Sequence, residues 1–89
     1  MYYVYILRFF DKSLYIGQTN NLQKRLEEHR GNQSKGAKFS KEHGEFDLVY
    51  TENFNTRLES MQREKQLKGW TRAKKEALIS GNIKLLKKL

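Results

Sequence analysis

Tyr2-Tyr3-Val4-Tyr5-Ile6-Leu7-Arg8-Phe9 and, after a polar break, Leu14-Tyr15-Ile16-Gly17 decide the fold. The first run alternates aromatic and aliphatic side chains. Tyr3, Tyr5, Leu7 and Phe9 fall on one face, and Tyr2, Val4 and Ile6 on the other. A strand that is apolar on both faces belongs inside a sheet covered on both sides. Asp11-Lys12-Ser13 is a turn signal, so the second run reads as a strand antiparallel to the first. The hairpin brings two phenols, Tyr5 and Tyr15, close together. Arg25 follows ten positions after Tyr15, and His29 four after that.

Thr19-Asn20-Asn21 is a run of helix N-cap types, with Gln23 three after Asn20 as in a capping box. The helix it predicts runs to about His29 and stops near Gly31. Leu22 and Leu26 share one stripe of that helix, with Arg25 and His29 at its edge. Both should therefore stand at the margin between core and solvent, where a cleft residue would be. Residues 30–44 are polar and read as a long surface loop carrying Lys35, Lys38 and Lys41. Phe46 to Phe54 has strand character around Leu48, Val49 and Tyr50. Thr56 and Glu59 form a second capping box, opening a helix that carries Leu58, Met61, Glu64 and Leu67 and ends near Gly69. Thr71 caps a third helix through about Ile79, stopped by Gly81, and Ile83, Leu85, Leu86 and Leu89 suggest a short last one. The order β-β-α-β-α-α gives a mixed α+β class: a small antiparallel sheet packed by helices.

With 89 residues the chain reads as one domain, 1–89, with a compact core. It has no cysteine, which excludes a disulfide scaffold and a thiolate zinc site and agrees with a cytoplasmic location. The apolar start is too short, and too soon cut by Arg8 and Asp11, for a signal peptide or membrane span. The net charge is +8, unevenly spread: residues 1–52 hold eight Lys/Arg against seven Asp/Glu, residues 53–89 ten against three. A polyanion is the partner such a charge suits, because basic side chains release counterions from a phosphate backbone.

Tyr3-Val4-Tyr5, then Tyr15-Ile16-Gly17, Arg25 and a later helical Glu64 together resemble the GIY-YIG nuclease superfamily. The resemblance runs from Tyr2 to about Ile79 and is nearest to the small single-domain bacterial group, similar to the nuclease domain of the excision-repair endonuclease. It implies a three-stranded antiparallel sheet flanked by helices and divalent-metal-dependent cutting of DNA phosphodiesters. Tyr5 and Tyr15 match its two motif tyrosines, Arg25 its helical arginine, and His29 a position holding histidine or tyrosine. Glu64 matches the single ligand for Mg²⁺ or Mn²⁺. Lys35 and Lys38 lie in a segment resembling the basic loop of the single-domain group, and with Lys41 and Arg63 they are the candidate nucleic-acid contacts. The first motif glycine is replaced by Tyr3, and Gln18 stands where the repair enzymes carry a lysine. Relatives with known targets borrow affinity from another domain, so a partner protein is expected to supply specificity here.

The residue types suit this chemistry independently. Hydrolysing a phosphodiester needs an activated water and neutralised charge on the phosphoryl oxygens. A phenol with a pKa of about 10 is a poor base at neutral pH, but a neighbouring cation makes its anion more accessible. Tyr15 is the expected proton acceptor, with Tyr5 and His29 orienting or sharing the proton. Arg25 offers a planar fork to a phosphate oxygen. Singly, each residue has a plainer reading: the tyrosines as core aromatics, Arg25 and His29 as helix-surface charges, Glu64 as the partner of Lys68 at i+4. The alternative function is a nucleic-acid-binding module on the same fold that does not cut. A protein-interaction domain ranks below both.

Overall fold

The computed structural model describes residues 1–31 and 44–88. Its elements are β1 (Tyr2–Phe9), β2 (Leu14–Thr19), α1 (Leu22–Gly31), β3 (Phe46–Phe54), α2 (Arg57–Lys68), α3 (Arg72–Ser80) and α4 (Ile83–Lys88). The sheet has the order β2-β1-β3, with both pairings antiparallel. The mixed α+β class with a three-stranded antiparallel sheet is therefore as expected. Lys35, Lys38 and Lys41 lie outside the described residues.

β1 is the central strand, and its two-faced sequence is the reason. Val4 and Ile6 join Ile16 and Leu67 in one buried cluster, closed by Trp70, Leu78 and Ile79 from the α2–α3 side. Tyr5, Leu7 and Phe9 form a second cluster on the other face, closed by Leu22 and Leu26 of α1. The hairpin turns where Ser13 donates its backbone N–H to Asp11 Oδ1 at 3.0 Å and Lys12 takes a positive φ of 75°. Between β1 and β3 the register slips, with Ile6 opposite Tyr50 but Leu7 opposite Leu48. This β-bulge leaves Val49 as the extra residue and lets both Val49 and Tyr50 pack on the α2 face.

Four expectations need correction. The α1 cap is Asn21, not Asn20: Asn21 Oδ1 accepts from the Lys24 backbone N–H at 3.0 Å. β2 runs on through Thr19, whose Oγ1 accepts from the Asn21 N–H, so the chain turns one residue later than the local pattern indicates. Leu58 and Met61 of α2 are 65% and 43% exposed. The helix instead turns Ser60, Glu64 and Leu67 inward, because its first two turns meet the polar end of β2 through a Ser60–Gln18 hydrogen bond. His29, placed at the core margin by its helix wheel, is fully buried.

α2 is held at its first turn and at its middle. Thr56 Oγ1 accepts from the Glu59 backbone N–H at 3.2 Å and donates to Glu59 Oε1 at 2.9 Å. In its middle, Arg63 Nε and Nη2 donate to the Glu52 carboxylate of β3, and its guanidinium lies 5.2 Å from the Trp70 ring centre. Gly81, with φ 74°, closes α3 in the left-handed conformation that glycine adopts without strain.

Candidate active site

The register of the hairpin sets the site. Tyr5 stands opposite Gly17 and Leu7 opposite Tyr15, so both phenols share the face covered by α1. Their ring centres are 6.2 Å apart. The Tyr5 ring lies directly over Gly17: a Cβ there would fall 2.5 Å from Tyr5 Oη and 2.7 Å from Cζ. Gly17 is thus the seat of the phenol, and any side chain would unseat it. Counting outward from the turn pairs Tyr5 with Gly17, so the hairpin register was the signal for this role.

His29 reaches the same place from α1. Its Nε2 is 3.1 Å from Tyr5 Oη, and its ring meets Tyr15 edge-on at 4.8 Å between centres. Phe46 of β3 closes over it at 5.9 Å. With His29 and Tyr5 each only 1% exposed, the imidazole meets the site through the phenol rather than through solvent. Arg25, one turn earlier on α1, is half-buried. Its Nε is enclosed and has no hydrogen-bond partner among the described residues, while Nη1 lies 3.7 Å from Glu28.

The electrostatics converge on Tyr5. Burial is the chief force keeping its proton, pushing the hydroxyl well above the ordinary phenol value. The Tyr15 and Glu64 charges push the same way, and Arg25 opposes them. Three groups from β2, α1 and α2 therefore act on one hydroxyl carried by β1. Glu64 itself is partly buried and 3.4 Å from Lys68 Nζ, the i+4 partner expected on a helix. Among the described residues no group of three or more His, Cys, Asp or Glu side chains gathers to hold a metal. A single carboxylate still suits Mg²⁺ or Mn²⁺, since Mg²⁺ is commonly held by one or two carboxylates with waters and substrate oxygens completing its shell.

The chain matches the family of the GIY-YIG catalytic domain over residues 1–77. The chain belongs to that family. The GIY-YIG family is a nuclease family, which makes nucleic acid its substrate class. A UPF0213 protein of Bacillus pumilus is 47% identical over 78 residues, covering 88% of this chain and 78% of its own. A UPF0213 protein of Clostridium perfringens is 48% identical, covering 90% and 84%. The solution structure of the UPF0213 protein BH0048 from Bacillus halodurans superposes with a TM-score of 0.58 at 38% identity, covering 90% of this chain and 84% of that one.

In this GIY-YIG chain Arg63, expected to meet nucleic acid, is bonded to Glu52 and Gln66 and lies over the Trp70 ring. Burial alone would raise the Glu52 carboxyl, but hydrogen bonds from Arg63 and Tyr50 outweigh it and hold the group below its ordinary value. The Tyr50 hydroxyl, half-buried and bonded to Glu52, is pushed up to about 12. Among the described residues no helix is long and apolar enough to cross a membrane.

Proposed function

We propose that this chain is a divalent-metal-dependent endonuclease that hydrolyses DNA phosphodiester bonds, working in the cytoplasm with a partner protein that supplies specificity. The observation that carries the reading is the Tyr5 hydroxyl, on which Tyr15, Arg25, Glu64 and His29 all act. Tyr15, partly exposed and packed beside the buried Tyr5, is the base: its oxygen takes a proton from the water that attacks phosphorus. Tyr5 donates to Tyr15 and steadies the charge there, while His29 fixes the Tyr5 hydroxyl from behind. Arg25 presents its fork to the phosphoryl oxygens, lowering the repulsion that the attacking oxygen meets. Glu64 would hold the cation, which when bound neutralises charge on the phosphate and its leaving oxygen. The lysines at 35, 38 and 41, with Arg63, are the proposed contacts to the rest of the nucleic acid.

The test is incubation of the purified protein with branched, flapped and duplex DNA in Mg²⁺ or Mn²⁺. Cleavage of at least one shape, lost on chelation and lost in Glu64→Ala, is the expected result. Binding that falls steeply with salt, with no cutting of any shape, would instead support the non-cutting module, which the lack of any group of three or more His, Cys, Asp or Glu side chains among the described residues favours.

A further inference from the structure

At the end of β2 lies an open cleft of about 360 Å³, lined by Tyr2, Gln18, Thr19, Asn20, Arg25 and Arg57. Two guanidiniums from two different helices line it, and among the described residues no carboxylate does. Arg25 is the wall it shares with the catalytic residues, because the same guanidinium acts on Tyr5. Arg25 itself keeps Glu28 at 3.7 Å, and the other arginines of the described residues besides Arg57 are engaged as well. Arg8 and Arg72 bond to Glu76, Arg63 bonds to Glu52, and Arg30 lies over the Phe46 ring. Arg57 is exposed and makes no ion pair among the described residues. The rest of the lining is amide and hydroxyl, and Gln18 is tethered by Ser60 at 3.4 Å. Paired guanidiniums with neutral hydrogen-bonding neighbours are suited to a phosphate, which accepts two parallel N–H bonds from each fork.

We propose that this cleft binds the phosphate next to the one attacked on the same DNA strand, with Arg57 as its principal ligand and Gln18, Thr19 and Asn20 as neutral neighbours. The inference rests on the nuclease reading for the identity of the strand. It gives the chain a second anchor that sets which phosphodiester lies against Tyr15. Arg57 stands at the first position of α2, seven residues before Glu64, so one helix carries both the anchor and the candidate metal ligand.

The test uses the whole chain, without metal, and a thymidine tetranucleotide as probe, following the side-chain Nε–Hε signals of Arg25 and Arg57 by NMR. Both signals are expected to move together on titration. In Arg57→Ala the slope of log affinity against log salt should fall by about 0.7, the value for one contact to a single strand. Arg57→Lys, which keeps the charge, should retain the slope. A still Arg57 signal, or an unchanged slope in Arg57→Ala, overturns the proposal. Cleavage is scored separately. A wild-type protein that moves both signals but cuts nothing refutes the nuclease reading and keeps the anchor. One that cuts, with Arg57→Ala binding as tightly as wild type, does the reverse.

Discussion

Gly17 and Tyr5 form the tightest residue-scale constraint in the molecule. A methyl group at position 17 would sit 2.5 Å from a phenol that is itself enclosed on every side. Gly17→Ala should therefore destabilise the fold by about 1–3 kcal/mol, the usual range for overpacking, read as a drop in the midpoint of thermal or urea unfolding. Tyr5 also predicts an alkaline weakness. Its folded pKa is raised above the unfolded value of about 10, so its contribution is complete below that pH and is lost as pH rises toward the folded value. Urea unfolding between pH 8 and 11 should show stability falling above about pH 10, with a shallower fall in Tyr5→Phe. An equal fall in both proteins would contradict this. The aromatic alternation of β1 made Tyr5 legible in the sequence, since odd and even positions must face opposite ways. The burial of His29 was not: a helix wheel sees only its own stripe, and the group that encloses the ring, Phe46, comes from β3.

At the scale of elements, α2 is the piece that must be held in place. It carries Glu64 and Arg57, yet only Leu67 of its apolar residues is buried. Its position depends on polar ties instead, the Thr56–Glu59 cap and the Arg63–Glu52 bridge. Thr56→Ala should cost about 1 kcal/mol of stability, as loss of a helix cap generally does. Arg63→Met leaves the half-buried Glu52 carboxylate without its main partner and should cost about 1–3 kcal/mol by urea unfolding. The Glu52 contribution is present above the unfolded carboxyl pKa and is lost as pH falls through the lower folded value, so Glu52→Gln should flatten the acid limb of stability. The cap was readable from four residues of sequence. The bridge was not, because it joins a strand to a helix with no periodic signal, and the polar inward face of α2 follows from what β2 presents to it.

For the whole molecule, the +8 charge and the hydrolytic residues belong to one description. The C-terminal half bears most of the excess cation, while the phenols and Arg25 come from the nearly neutral N-terminal half, and α2 joins the two through Glu64. The order of elements along the chain, the pairing of the first two strands and the GIY-YIG resemblance were present in the sequence, because the motif tyrosines sit on those two strands; the place of β3 beside β1 came only with the structure. The central claim is that Tyr15 takes the proton while Tyr5 stays protonated and supports it. Single-turnover cleavage of the preferred DNA shape, comparing Tyr15→Phe with wild type at equal DNA affinity, tests it most directly. The account predicts a rate lowered by about 10²–10⁴, the span typical of a lost general base, with binding unchanged. A Tyr15→Phe protein that cuts at the wild-type rate would contradict it.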